Sequence, residues 1–341
     1  MQNLSNPWRG KGLPDDVLSG APAPSVDASA PETLIRQCPA AGETPLIRID
    51  GLGAQVWAKD ERKRMGLGSF KALGAAYVIA HRAAATGKDD LSTALQGETF
   101  VSSSAGNHGL SIAAGARAFG AKSAIYLSEH VPEGFAERLR DLGAEVVRAG
   151  SDYEGSMKAA MQAAADNGWT LLSDTSWPGY FDIPHRLMEG YLVMAAEAAR
   201  QMPEPPTHIF LQAGVGGLAG GCAPYFREVW GDAPQIIVVE PEFAPALQVS
   251  IREGKCVNTE GPVSDMGRLD CKEPSLIALR GLARDADAFV TITEEEAFSV
   301  LPVLDRQGAS TSTSGGAGLA AAMTMDLPRE ARVLCIISEG I

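Results

Sequence analysis

Four short stretches of this 341-residue chain carry residue types that could do chemistry. The first is Ser69-Phe70-Lys71-Ala72-Leu73-Gly74. Phe70, Leu73, Tyr77 and Val78 recur at three- and four-residue spacings, which predicts an amphipathic helix, and Ser69 is a suitable N-cap for it. Lys71 then falls in the first turn, where the helix dipole is positive and a cation is disfavoured. A lysine placed there gains stability as a neutral amine or an imine, and a depressed pKa is what a nucleophilic lysine needs. Taken alone, a surface lysine is the commoner reading. Its neighbours must decide.

The second stretch, Ser102-Ser103-Ser104-Ala105-Gly106-Asn107-His108-Gly109, ends a strand pattern and opens a helical one. Backbone amides converge at such a turn and small side chains let an anion come close, as a carboxylate clamp requires. Alone it is equally a plain strand-to-helix turn. The third, Ala213-Gly214-Val215-Gly216-Gly217-Leu218-Ala219-Gly220-Gly221, is a glycine loop after a strand, hence a phosphate cradle of amide donors. It also satisfies the dinucleotide pattern as Gly214, Gly216 and Ala219, with Glu240 ending the next strand near a ribose-binding position. A nicotinamide-dependent oxidoreductase therefore stays open, although it would leave Lys71 and the Gly-Asn-His turn idle. The fourth is Ser338-Glu339-Gly340, which puts a hydroxyl at the carboxyl end of a strand. The histidines at 81, 108, 130, 185 and 208 show no metal spacing, so no metal site is expected.

These stretches need elements to position them. Strands are expected at 99–102, 124–127, 145–147, 169–172, 208–212, 235–240 and 333–337. Helices are expected from the Gly-Asn-His turn to about 119, from about 131, at 153–167, at 184–201, and from a Thr293/Glu296 capping box to about 306. Continuous apolar strands alternating with helices predict an α/β protein with mainly parallel sheets covered by helices. Residues 1–43, rich in Pro, Ala, Ser and Asp, read as an extended arm crossing the surface or a partner subunit. The passage from 256 to 274 reads as a loop near a site.

Composition narrows the partners. The chain is 45% hydrophobic and 21% charged, with net charge −13 and pI near 4.9. Such acidity argues against nucleic acid or an anionic membrane. No apolar run approaches the roughly 20 residues that span a bilayer, and the N-terminus has no secretory pattern. Five scattered cysteines read as reduced thiols of a cytoplasmic protein, with a Cys256–Cys271 bridge left open.

In order along the chain, Thr44-Pro45-Leu46, Lys59-Asp60-Glu61, Ser69-Phe70-Lys71, Ser104-Ala105-Gly106-Asn107-His108-Gly109, Gly214-Val215-Gly216-Gly217 and Ser338-Glu339-Gly340 resemble the fold-type II, tryptophan synthase β-like, pyridoxal phosphate enzymes. Within them, Gly66-Leu67-Gly68-Ser69-Phe70-Lys71, Asp174-Thr175-Ser176-Trp177-Pro178-Gly179-Tyr180, Met188-Glu189-Gly190-Tyr191, Leu269-Asp270-Cys271-Lys272-Glu273-Pro274-Ser275 and Ser312-Thr313-Ser314-Gly315-Gly316 resemble diaminopropionate ammonia-lyases. The resemblance runs from about residue 44 to the end. It implies two open α/β domains, a large cofactor-binding one of 44–90 with 185–341 and a small one of 91–184. It implies pyridoxal phosphate held by Lys71 as Schiff-base lysine, by Phe70, by Gly214, Val215, Gly216, Gly217 and Leu218 at the phosphate, by Asn107 at the ring hydroxyl and by Ser338 at the ring nitrogen.

The same resemblance implies α,β-elimination from a small amino acid, 2,3-diaminopropionate first, with Lys71 also taking the Cα proton. The substrate would rest on Ser103, Ser104, Ala105, Gly106, Asn107, His108 and Tyr180. Asp174, near Trp177 and Tyr180, is the candidate to recognise its distal amine, and is equally a helix-entry residue after a strand. A homodimer is implied too. One position departs: the family pattern has an aspartate where Ala105 stands, thought to act on the D-substrate. There the loop resembles the serine/threonine dehydratase version, so a β-hydroxy amino acid dehydratase is the alternative.

Overall fold

The structure is a computed structural model describing residues 1–341. The chain begins with β1 (Gln2–Ser5), α1 (Ser29–Ile35), β2 (Leu46–Ile49), β3 (Gln55–Asp60) and α2 (Lys71–Ala84). It continues through β4 (Thr99–Ser103), α3 (Asn107–Ala118), β5 (Lys122–Leu127), α4 (Glu133–Asp141), β6 (Glu145–Arg148), α5 (Tyr153–Asn167) and β7 (Thr170–Leu171). Then follow α6 (Asp182–Gln201), β8 (His208–Gln212), α7 (Gly217–Trp230), β9 (Gln235–Pro241), α8 (Ala246–Glu253) and α9 (Leu276–Asp285). Last come β10 (Ala288–Ile292), α10 (Glu294–Ser299), α11 (Leu301–Asp305), α12 (Ala317–Thr324) and β11 (Arg332–Ile337).

Two sheets form, as the alternating pattern requires. The larger has the order β1-β10-β9-β8-β11-β3-β2, and only its edge strands β1 and β2 run antiparallel. The smaller is fully parallel, in the order β6-β5-β4-β7. The central strands of the large sheet are buried along nearly their whole length, which is why they read as unbroken apolar runs. Helices α10 to α12 cover one face of this sheet. The other face shares its core with α2, α6, α7 and the small sheet's helices.

Helix α2 packs against α6 on one side and α3 on the other, and so links the two sheets. Glycine makes the α2–α6 crossing possible: a Cβ on Gly190 would stand 2.5 Å from the Leu73 carbonyl oxygen, and one on Gly74 2.8 Å from Leu187 and Tyr191. The expected helix at 293–306 starts with the capping box of Thr293 and Glu296 but is broken at Val300 into α10 and α11. Pro302 has no N–H to continue the ladder of α10.

The N-terminal segment carries more structure than the extended arm expected of it. β1 lies along β10 of the same chain. Asn6 donates to the carbonyls of Ala283 (2.8 Å) and Ala286 (2.7 Å) at the end of α9, where helical carbonyls lack partners. Helix α1 then docks on α2 and α6.

The loop between β3 and α2 is anchored by a buried charge network. Arg64, 1% exposed, donates to both Glu61 and Glu197, and Lys59, 0% exposed, lies 2.6 Å from Glu197. Two cations face two carboxylates, so the network is neutral as a whole. Burial would raise the pKa of Glu197, but Arg64 and Lys59 outweigh it and hold the carboxyl below its ordinary value. Its contribution to stability is present above the unfolded carboxylate's pKa and is lost as pH falls through the lowered folded value. Glu197→Gln leaves a cation uncompensated and is expected to destabilise the fold by ~3–5 kcal/mol, read by denaturant unfolding at neutral pH.

Candidate active site

Every chemistry-bearing stretch lies at the carboxyl end of a parallel strand, the place where open α/β sheets bind ligands. In the large sheet β8, β11 and β3 are neighbours. Their ends lead to the glycine loop, to Ser338 and to the loop ending at Lys71. In the small sheet β4 and β7 are neighbours, and their ends lead to the Asn107 turn and to Asp174.

Lys71 is the first residue of α2, and its amide donates to the Ser69 hydroxyl at 3.0 Å. Its Nζ lies 2.5 Å from Asp174 Oδ2, with both side chains 22% exposed. The Phe70 and Tyr191 rings flank the amine at 5.3 and 5.9 Å, and the two rings are 4.8 Å apart. The structure thereby reverses one expectation. Burial would lower the pKa of Lys71, but the Asp174 carboxylate outweighs it and holds the ammonium above the ordinary lysine range. Burial likewise raises Asp174, yet the Lys71 ammonium outweighs it and brings the carboxyl well below the usual carboxylate range.

Two backbone clamps fix the segment carrying Asp174. His108 is buried and its Nε2 donates to the Leu172 carbonyl at 3.1 Å, so Nδ1 is the acceptor nitrogen of a neutral ring whose pKa burial lowers. The Tyr180 hydroxyl donates to the Leu171 carbonyl at 2.8 Å and accepts from the Ser173 amide at 3.0 Å, while its ring stacks on Trp177. His108 and Tyr180, expected to touch substrate, are thus committed to the main chain that aims Asp174.

Ser103 also differs from expectation: its hydroxyl is buried against Ser156 of α5 at 2.9 Å. Ser104 accepts from the amides of Gly106 (3.3 Å) and Gly109 (3.1 Å) and so shapes the turn. The turn itself, through Ala105, Gly106 and Asn107, presents the N-terminus of α3. Asn107 Nδ2 donates to Glu339 Oε2 at 2.5 Å, which leaves its second hydrogen free. Ser312 donates to the other oxygen of the Glu339 carboxylate. Ser338 is 6% exposed, its carbonyl accepts from the Phe70 amide at 3.0 Å, and its hydroxyl takes no partner in the protein.

Gly214, Val215 and Gly216 lead into α7, whose first residues Gly217 and Leu218 carry amides without helical partners. Gly216 has φ of +98°, a conformation glycine adopts readily. Gly217 lies against Tyr191, and Tyr191 against Phe70, so the cradle and Lys71 share one wall. Glu240 is elsewhere: it is fully buried, accepts from the Leu247 and Gln248 amides at 2.7 Å each, and burial pushes it up to about 8. It caps α8 and cannot serve a ribose, which removes the dinucleotide reading of the glycine loop.

The pyridoxal-phosphate dependent enzyme family matches residues 38–339. Diaminopropionate ammonia-lyase of Escherichia coli K12 is 35% identical over 282 residues, covering 76% of this chain and 70% of that protein. The crystal structure of the Escherichia coli diaminopropionate ammonia lyase in complex with D-serine aligns with TM-score 0.87 at 29% identity, covering 99% of this chain and 93% of that one. Its complex with an aminoacrylate-PLP azomethine reaction intermediate aligns at 0.85 and 28% identity, with the same coverage. The chain belongs to the diaminopropionate ammonia-lyase family of pyridoxal-phosphate dependent enzymes. It therefore has the fold-type II architecture and uses pyridoxal phosphate, and the residues present fit that group: amide donors at a 14-residue helix, the hydroxyl of the mostly buried Ser338 with no protein partner, and the Lys71 amine on the wall shared with the glycine loop.

Residues that the sequence left unassigned also belong here. Tyr191 walls the amine, and Glu339 holds Asn107. Cys271 lies against Gly214, its thiol pushed up to about 12 chiefly by burial. All five cysteines are free, so Cys256 and Cys271 are unpaired. No helix is long and apolar enough to cross a membrane.

Asp174→Asn removes the charge that opposes burial at Lys71. Lys71 of the cofactor-free variant should then react with an amine-directed acylating reagent at neutral pH faster than in the parent protein, with the exposed Lys122 as internal reference in peptide mapping. Equal labelling would mean that Asp174 does not govern the amine.

Proposed function

We propose that this protein catalyses α,β-elimination from a small L-amino acid, with 2,3-diaminopropionate as the leading substrate and pyruvate and ammonia as products. The observation carrying this reading is the Lys71–Asp174 pair at 2.5 Å, which places one amine and one carboxylate side by side between the two sheets. The names of the relatives support the substrate.

Pyridoxal phosphate, when bound, supplies the carbonyl that joins an amine and the ring that accepts the electron pair released at Cα. Gly214 to Leu218 would hold its phosphate, Asn107 its ring hydroxyl and Ser338 its ring nitrogen, with Phe70 beside it. Ser338, a hydroxyl and not a carboxylate, would hydrogen-bond that nitrogen without stabilising a proton on it.

Lys71, as the free amine, takes the Cα proton and becomes an ammonium. The bond from C3 to its nitrogen breaks, and that amine needs a proton to leave as ammonia. Asp174 is suited to carry it. Its low pKa exists only while Lys71 is cationic; once Lys71 is neutral, burial dominates and the carboxyl can hold a proton. The substrate carboxylate would rest on the amides of the Ser104–Asn107 turn. After release, the enamine product hydrolyses to a 2-oxo acid and a second ammonia. Ala105, where the family pattern has an aspartate, leaves no base on that side for a D-substrate. It also keeps a β-hydroxy amino acid dehydratase as the second reading.

The same reading includes a homodimer in the cytoplasm, with 44–90 and 185–341 as the large domain and 91–184 as the small one. The family resemblance supports the first, the free thiols the second and the two separate sheets the third.

Release of 2-oxo acid from L- and D-2,3-diaminopropionate, L-serine, L-threonine and 3-hydroxyaspartate tests the substrate. Turnover of the L-diamine and not its D-isomer is expected; turnover of hydroxy amino acids alone would transfer the assignment to the dehydratase. For the mechanism, Asp174→Asn should slow diaminopropionate by roughly 10²-fold or more, the contribution of a general acid. Elimination of chloride from β-chloro-L-alanine, which needs no proton on its leaving group, should fall far less. Equal loss on both would remove Asp174 as the acid.

A further inference from the structure

Arg268 reaches across the mouth of this site from the loop before α9. Its amide donates to the Ser314 hydroxyl at 3.1 Å, which fixes its backbone to the large-sheet side. Its guanidinium extends to the small-sheet side, where Nη1 lies 3.5 Å from the Ala105 carbonyl. A Cβ on Gly106 would stand 3.4 Å from the same Nη1, so the guanidinium lies directly over the turn. Nε stands 3.6 Å from Glu339 Oε2, an ion-pair distance and not a hydrogen bond. Glu339 is already engaged by Asn107 and Ser312. The side chain is thus oriented by a carboxylate that does not occupy its fork, and 51% of it remains exposed.

We propose that Arg268 is a substrate-binding residue that clamps the α-carboxylate of the amino acid against the Ser104–Asn107 turn. The turn supplies amides and the positive end of α3, but every one of its donors lies on the small-sheet side. A carboxylate bound there has further lone pairs facing the opposite wall, and Arg268 is the cation in contact with that turn. A guanidinium presents parallel N–H groups that match a carboxylate, which a lysine cannot do. The clamp joins the loop before α9 to the turn after β4, so binding the carboxylate also ties the two sheets together. It matters more in this chain because Ala105 contributes no side-chain hydrogen bond of its own. The inference rests on the amino-acid substrate proposed above.

The test uses the holoenzyme and a ligand that cannot eliminate. L-Alanine and L-alaninamide, which lacks the carboxylate, are titrated by calorimetry into the parent, Arg268→Met and Arg268→Lys. The clamp predicts that Arg268→Met weakens L-alanine about tenfold or more, the loss expected for a charge-assisted hydrogen bond. L-Alaninamide should bind the parent and Arg268→Met alike, and Arg268→Lys should recover part of the L-alanine affinity. In turnover the loss should appear in KM more than in kcat. Unchanged L-alanine affinity in Arg268→Met, or equal weakening of both ligands, overturns the clamp while leaving the elimination reading intact. A parent enzyme that binds neither ligand overturns the clamp and the substrate reading together.

Discussion

The contact between Lys71 and Asp174 is the one on which the rest of the site depends. It joins the first residue of α2, fed by the large sheet, to a residue three positions past the last strand of the small sheet. Neither group is stable alone in that setting, because burial opposes the charge on each. Together they fix the separation of the two sheets at the point where a substrate must sit. The pairing also makes each group's proton affinity conditional on the charge of the other. In the proposed elimination, a lysine that alternates between cation and neutral amine would switch its neighbour between proton-poor and proton-holding states without any movement of the fold.

Much of the surrounding structure serves to aim these two groups. On the lysine side, the neutral network of Lys59, Glu61, Arg64 and Glu197 anchors the loop that delivers Ser69, Phe70 and Lys71. Gly74 and Gly190 let α6 approach α2 closely enough for Tyr191 to wall the amine. On the carboxylate side, His108 and Tyr180 hold three consecutive residues, Leu171 to Ser173, through main-chain hydrogen bonds. The remaining polar atoms, Ser338, Asn107 and the amides of the glycine loop, are held by strands adjacent in the large sheet or by the turn after β4, and so share the rigidity of the sheets.

Seven of the eleven strands, the mainly parallel sheets and the loops bearing Lys71, Asn107, the glycines and Ser338 were legible in the sequence. Each depends on local pattern: apolar runs for doubly covered strands, and small or polar residues where a strand passes to a helix. What could not be read depends on contacts between distant residues. The raised pKa of Lys71 comes from a carboxylate 103 positions away, so the first-turn argument, correct about the dipole, omitted the larger charge. The same distance hid the main-chain duties of His108 and Tyr180. Residues 2–5 looked irregular because this four-residue edge strand is exposed except at the half-buried Leu4; their structure comes from pairing with β10. Glu240 met the spacing of a ribose-binding acid, yet it is a helix cap, because spacing says nothing about which way a side chain is buried.

The central claim is that Lys71 is the residue joined to the cofactor. Borohydride reduction of the holoenzyme, followed by protease digestion and peptide mass mapping, tests it directly. The structure predicts a single pyridoxyl adduct, on the peptide containing Ser69-Phe70-Lys71. An adduct on Lys59 or any other lysine, or none at all, would contradict the account.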